Sequence, residues 1–580
     1  MTLRTLRRRW TYVSAALVGL AVAVAAGAPA AVAVDPPVSV RLLALNDFHG
    51  NLEPPSGSSG MITGQPAGGV EHLATQLEAL RAEVNRDDTI TVAAGDLIGA
   101  SPLLSAAFHD EPTIESLGLA GLDYASVGNH EFDEGADELL RIQEGGCHPA
   151  DGCADPGTPY AGAGFQYLSA NAFVTETGQT LLPPYAIHEV SGVKVGFIGM
   201  TLEGTSSVVS QAGVAGLTFA DEIETANDNA EELQDAGVEA IVVLLHEGGW
   251  QAGGPGGSAG INDCANLRGP IVPIAEGMDD AIDVVLSGHT HQPYNCVIDG
   301  KVVTSASSFG RLVTKIDLKI AGETGDVIRQ ETQAVNLVVD RNQDKHPNQT
   351  QLIARYRGLL GPIANAVVGE ATTPITREQV RLFQVGAAPD GSPEFALGES
   401  ALGNLIADAQ LAATDNEHDA VAAFMNPGGV RADIVAGPVT YEEAFTVQPF
   451  NNLLTTLTMT GNAVQCLLEQ QFVVGRTLGP SAGVTYTVSP TGVTGTVADP
   501  CSGSRVVDSS VAIGGTAISP DGTYRVTVNN FLADGGDGFA VLTQGSDRFL
   551  GGLDIDAFVT HLTANAPTSA PTTDRITVGS

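Results

Sequence analysis

"VSVRLLALNDFHG", residues 38–50, runs an apolar segment straight into Asp47 and His49. Residues 38–45 read as a buried strand. A carboxylate and an imidazole two apart on an extended segment project to the same side, so this pair is expected to reach one ligand together.

The same pattern recurs outward from this point. Short β-branched runs follow as "TITVAA", "YASV", "VKVGFIGM", "AIVVLL", "IDVVLS" and "KVVTSA", with helical spacing in "GGVEHLATQLEALRAEV" and "FADEIETANDNAEELQDAG" between them. This alternation predicts a layered α/β domain over residues 38–340. A connector helix is expected over 341–365, then a smaller C-terminal α/β domain over 366–565 with helical "GESALGNLIADAQLAAT" and strands "LLTTLTMT", "GVTYTV" and "TYRVTVNN". The last stretch, 566–580, is low in apolar residues and reads as a flexible tail.

Chemistry collects where the strands end. Asp47 and His49 follow the first; Asp96 follows "TVAAG"; Asn129, His130 and Asp133 follow "YASVG"; His246 follows "IVVLL"; His289 and His291 follow "DVVLSG". In a parallel sheet these ends share one edge, so the side chains can converge in a crevice. Singly, each has an ordinary explanation as a loop histidine, a helix cap or a turn aspartate. Together, in this order and each at a strand end, they point to a metal centre. Mixed imidazole and carboxylate donors suit Zn²⁺, Mn²⁺, Co²⁺ or iron and are too nitrogen-rich for a Ca²⁺ or Mg²⁺ cage. Seven donors exceed what one catalytic ion takes from protein, so two divalent ions are expected.

The motifs "NDFHG", "AAGD", "GNHEFD", "LLHEGG" and "SGHTH" resemble those of calcineurin-like metallophosphoesterases. With "NPGGVR", "QPF" and "NNFLADGGDGF" in the second domain, the whole chain resembles the two-domain 5′-nucleotidase family, including its UDP-sugar hydrolases. The resemblance implies a four-layer β-sandwich flanked by helices and a substrate-binding second domain. It also implies one metal held by Asp47, His49, Asp96 and His291, and another by Asp96, Asn129, His246 and His289. His130 and Asp133 would form a catalytic dyad in which the carboxylate orients the imidazole. Hydrolysis would proceed by attack of metal-bound hydroxide on phosphorus, while His130 stabilises developing charge or assists the leaving group.

In the second domain the resemblance assigns Phe450 and Phe531 to a sandwich around the nucleobase, Asp537 to the ribose hydroxyls, and Arg431 and Asn426 to the anionic group or base edge. Apart from the family match, both phenylalanines would read as core packing and "DGGDG" as a plain turn. One position departs from the family: Ala401 stands where several relatives carry a substrate-binding arginine. This leaves room for cyclic nucleotides or nucleotide sugars beside 5′-monophosphates.

Bulk properties bound the biology. The chain has 580 residues, enough for at least two domains. Basic "MTLRTLRRRW", apolar "YVSAALVGLAVAVAAGA" and the small residues Ala31-Val32-Ala33 read as a signal peptide over 1–33, which makes the mature protein secreted or held in the cell envelope. Arg7, Arg8 and Arg9 leave the export route open between the general and twin-arginine systems. No other apolar run approaches the roughly 20 residues that span a bilayer. Six cysteines fit an oxidising compartment, and proximity suggests Cys147–Cys153, Cys264–Cys296 and Cys466–Cys501; zinc ligation is the alternative, without a C-x-x-C pair to support it. The formal charge of −40 repels nucleic acid polymers and anionic membranes. With the family resemblance, the partner expected is a small nucleotide and the activity a phosphoester hydrolysis. A secreted binding protein that has lost the chemistry is the rival from another class.

Overall fold

Strand Ala240–His246 is buried at every position, and its two faces go to different layers. Ala240, Val242 and Leu244 join Leu42, Val92 and Phe197 in one apolar cluster. Ile241, Val243 and Leu245 join Ala226, Leu233 and Ile271 in another. Side chains alternate along a strand, so this strand must lie inside a stack. Val38–Leu45 behaves likewise, with Val40, Leu42 and Ala44 facing the first cluster and Leu43 and Leu45 facing a third.

The computed structural model describes residues 36–55, 57–210, 212–251, 259–387, 393–416 and 418–579. The stretch read as a signal peptide, 1–33, lies outside the described residues. The first domain is a four-layer sandwich. One six-stranded sheet is ordered Gln333–Val338, Leu312–Ile320, Val38–Leu45, Thr89–Ala94, Tyr124–Ser126, Gln166–Leu168. The other is ordered Pro293–Ile298, Lys301–Ala306, Ile282–Ser287, Ala240–His246, Val193–Thr201, Tyr185–Val190. Helices Val70–Ala82 and Glu111–Leu119 cover the first through Leu73, Leu77, Ile114 and Leu117. Helices Glu222–Asp235 and Ile271–Gly277 cover the second. The strands that precede the candidate donors pair in parallel, Leu42 opposite Ile90 and Ala93 opposite Ala125 in the first sheet and Val243 opposite Val285 in the second, so in each sheet their carboxyl ends share one edge.

Helix Pro347–Ala364 joins the domains, with proline in its first turn, where no N–H is needed. Its Leu352, Ile353 and Tyr356 pack into the first domain, and Ala364 packs into the second. The second domain centres on a five-stranded sheet ordered Gly479–Pro480, Ala422–Met425, Thr523–Asn529, Leu453–Thr460, Ser546–Leu553. Disulfides join Cys147 to Cys153, Cys264 to Cys296 and Cys466 to Cys501, the pairing expected from proximity. Among the described residues no helix is long and apolar enough to cross a membrane.

The end of the chain corrects one expectation, since residues 566–579 are not a free tail. Ile576–Val578 pairs in parallel with Val484–Val488, and Ile576 is buried. Arg575 holds Asp408 through two hydrogen bonds of 2.8 Å, and the Ile576 N–H donates to Glu399 at 2.8 Å. A three-residue β-branched run after a polar stretch is too short to stand out by composition, yet long enough to complete a sheet.

Phe197 is fully buried between the sheets and stacks on Tyr124 of the facing sheet at 5.3 Å. Phe197→Ala is expected to cost about 3–5 kcal/mol by the cavity it leaves. Urea denaturation checks this, and a loss below about 1 kcal/mol would show that the layer collapses around the gap.

Candidate functional site

Glycine stands immediately before Asp96, Asn129 and His289, and all three glycines crowd His246. A Cβ on Gly95 would lie 2.6 Å from His246 Nδ1; one on Gly128 would lie 2.8 Å from its Cγ and 2.2 Å from Asp96 Oδ1; one on Gly288 would lie 2.9 Å from Nδ1. Only bare backbone lets the strand ends close around this imidazole.

Within that enclosure the seven candidate donors form two groups sharing Asp96. In one, His291 Nε2 lies 3.2 Å from Asp47 Oδ1 and 3.0 Å from His49 Nε2, with Asp96 Oδ2 at 3.6 Å from His49 Nε2. In the other, His246 Nε2 lies 2.9 Å from Asp96 Oδ2, and His289 Nδ1 lies 3.0 Å from Asn129 Oδ1. Asp47, His49, His291 and Asp96, His246, His289 each converge closely enough to grip one ion.

Asp47 and His49 do not meet as expected. Both have positive φ, 49° and 47°, so the strand ends at Leu45 and a left-handed turn aims them, not a period-two extension. Asp96, His289 and His291 are left-handed as well, at 49°, 66° and 56°. Such backbone is uncommon outside glycine and gathers where function requires it.

The donor atoms fit a metal. His246 Nδ1 donates to the Ala94 carbonyl at 2.9 Å, which turns Nε2 toward Asp96; that Nε2 is buried and makes no hydrogen bond. His49 likewise donates from Nδ1 to the Gly99 carbonyl at 2.8 Å, leaving Nε2 facing another imidazole nitrogen. Fixing one ring nitrogen on a carbonyl to free the other is how proteins orient metal-binding histidines. Burial lowers the pKa of His49 to about 3 and that of His289 to about 4, which keeps both neutral, the ligating form, whereas burial of His246 is outweighed by Asp96, which raises it to about 10, so an ion bound there would displace its proton. Burial works against ionised Asp47 and Asp96, but the facing His291 and His246 outweigh it and hold both carboxyls below the usual range.

His130 Nδ1 donates to Asp133 Oδ2 at 2.6 Å. Burial disfavours its charge, yet Asp133 and then Asp96 overcome this and push its pKa up to about 10. The His130 N–H also donates to Asp96 Oδ1 at 2.9 Å, which ties the dyad to the shared carboxylate.

Two further residues hold the site, and no role was read for either from the sequence. Glu131, buried between the dyad partners in the chain, accepts the backbone N–H groups of Asp96, Leu97 and Gly128 at 2.9, 2.8 and 2.5 Å. Asn46 donates to Asp47 Oδ2 at 2.5 Å and to the Ser307 carbonyl at 2.7 Å. In "GNHEFDEG" a glutamate reads as a helix-start residue, and only its burial separates it from one.

The second-domain residues form a separate group around the turn at Gly428. Asn426 Nδ2 donates to Asp537 Oδ2 at 2.9 Å, Arg431 Nη1 donates to the Gly428 carbonyl at 3.2 Å, and the Arg431 guanidinium lies over the Phe450 ring at 5.8 Å. Phe450 and Phe531 are 43% and 47% exposed, too open for core residues. A cavity of about 730 Å³ separates the domains beside the dyad. Its walls include His130, Asp133, Tyr441, Asn451 and Phe549, but neither Phe450 nor Phe531.

Residues 40–293 match the family model for calcineurin-like phosphoesterases, and residues 384–544 match that for the 5′-nucleotidase C-terminal domain. The chain belongs to the two-domain 5′-nucleotidase family. It is 34% identical over 502 residues to the endonuclease YhcR of Bacillus subtilis, covering 86% of this chain and 37% of that one. The chain thus spans little more than a third of that relative. It is 26% identical over 561 residues to a 5′-nucleotidase of Vibrio cholerae, covering 92% of each. A 5′-nucleotidase precursor from Thermus thermophilus shares the fold, with a TM-score of 0.56 at 24% identity, over 93% of this chain and 99% of that one.

In this member of the family Glu131→Ala would strip the acceptor from three backbone N–H groups, at about 1–3 kcal/mol for each left unsatisfied. The variant is expected to melt lower and to bind less metal. Calorimetric melting with metal analysis of the purified protein checks this; full metal content at an unchanged melting temperature would contradict it.

Proposed function

We propose that the protein is a secreted phosphohydrolase that releases phosphate from nucleoside 5′-phosphates. One observation carries the reading: seven oxygen and nitrogen donors and a His–carboxylate dyad meet where the strand ends of the two facing sheets converge, around the shared carboxylate of Asp96. Asp47, His49, Asp96 and His291 would hold one divalent ion, and Asp96, Asn129, His246 and His289 the other, with Zn²⁺, Mn²⁺ or Co²⁺ suited to these donors. Two such ions supply acidification of water and neutralisation of phosphate oxygens.

The chain's own residues do the rest. His130, held cationic by Asp133, faces the interdomain cavity and places positive charge where negative charge develops on the leaving side. Phe450 and Phe531 offer apolar faces on which a base of any identity can stack. Because they lie off the cavity beside the dyad, the domains are proposed to close about helix Pro347–Ala364 to bring base and phosphate into one site. Secretion is supported by three disulfides and by the basic-then-apolar start of the chain. A second reading, hydrolysis of UDP-sugars or 2′,3′-cyclic nucleotides at the same site, is favoured by Ala401, which opens its helix without a cation.

Phosphate release from AMP, ATP, UDP-glucose and 2′,3′-cyclic AMP with added Mn²⁺ or Zn²⁺ ranks these readings. AMP is expected to turn over fastest, and silence on all four would leave a nucleotide-binding protein. His130→Ala is expected to lower kcat by about 10²-fold or more; full activity in that variant would remove the dyad from the chemistry. Asn451 donates to the Ser101 carbonyl across the domain boundary at 3.2 Å. A crosslink across that contact is expected to stop turnover, and unimpaired turnover would refute closure.

A further inference from the structure

The ribose end of the proposed site holds a residue that no motif singles out. Asn529 Nδ2 donates to Asn426 Oδ1 at 2.9 Å, Asn426 Nδ2 donates to Asp537 Oδ2 at 2.9 Å, and Arg476 Nη1 donates to Asp537 Oδ1. Each link aims the next, so the carboxylate is gripped at both oxygens. Asp537 itself sits in left-handed backbone, φ 55°, inside a glycine-rich turn, and its side chain is only 10% exposed. The Arg476 side chain is 47% exposed, so the guanidinium reaches Asp537 with one N–H and turns others to solvent.

We infer that Arg476 is a specificity-determining residue: paired with Asp537, it completes a clamp for the two ribose hydroxyls of the substrate. This rests on the nucleotide reading above and adds a residue to it. A carboxylate alone only accepts hydrogen bonds, whereas each hydroxyl of a vicinal diol both donates and accepts. Asp537 and Arg476 side by side present an acceptor and a planar donor fork, which is the complement of that diol. The aromatic surface is adjacent, because a Cβ on Gly536 would lie 2.6 Å from the Phe531 ring edge. Charge supports the same assignment. On a chain of formal charge −40 an uncompensated Asp537 would repel an anionic nucleotide. Arg476 and Arg431 both reach the turn at Gly428 and make that patch cationic: a Cβ on Gly428 would lie 3.5 Å from Arg476 Nη1, and Arg431 bonds the Gly428 carbonyl.

The test compares AMP with 2′,3′-dideoxy-AMP in wild type, Arg476→Ala and Arg476→Lys. Arg476→Ala is expected to raise KM for AMP about tenfold with kcat within about twofold, and to raise KM for the dideoxy substrate by at most about threefold, the share that charge alone supplies. Arg476→Lys should recover part of the loss, because it keeps the charge without the fork. An equal rise for both nucleotides, or none for AMP, overturns the inference. Calorimetric binding of adenosine and 2′,3′-dideoxyadenosine to the same proteins gives an arm that needs no turnover. If wild type hydrolyses no nucleotide, the activity reading fails, yet a preference for adenosine that Arg476→Ala abolishes would still sustain the clamp. Loss of both nucleosides alike would mark Arg476 as merely structural.

Discussion

Two carboxylates share one enclosed space: Asp47 is 0% exposed, Asp96 is 2% exposed, and each raises the energy of the other's charge. A buried carboxylate without compensation is far costlier than any single contact can offset. The fold meets this with imidazoles facing Asp47 Oδ1 and Asp96 Oδ2, a backbone N–H on Asp96 Oδ1, and the His289 N–H on Asp47 at 3.0 and 3.1 Å. Divalent cations are what such a donor set is suited to receive.

Holding these groups in place strains the backbone. Five of the seven donors are left-handed, at about 1–3 kcal/mol for each sparsely populated conformation. Such turns persist only on a rigid support, and the sandwich supplies one: strand interiors buried on both faces, three glycines that let the strand ends close, and Glu131 tying the Asp96 and Gly128 loops together. The core and the site are therefore one problem, since loosening the sheets would release the turns.

This explains what could be read in advance. The layered α/β domain was legible because strands buried on both faces write uninterrupted apolar runs, while its four-layer sandwich came from the family resemblance, and the donors were legible because each follows such a run in chain order. The aim of Asp47 and His49 was not, because a left-handed turn and an extended step place the same letters at the same spacing. Glu131 escaped notice because its three partners are main-chain groups with no sequence signature. The end strand escaped because a three-residue segment takes its meaning from Val484–Val488, nearly a hundred residues earlier.

Charge is handled differently in the two domains, and the chemistry of each explains why. A reacting phosphoryl group changes its charge distribution along the reaction, which calls for concentrated positive charge fixed before the event. In the proposed reaction the ends of the two sheets answer with donors for ions and with His130 held cationic by Asp133. Recognition of a sugar and a base involves no such change, so direction matters more than charge density. For the recognition proposed there, the chain offers guanidinium forks and aromatic faces, with Arg431 over Phe450 and Arg476 on Asp537. On the proposed reading, a strongly acidic protein draws an anion to two defined places while the rest of its surface repels it.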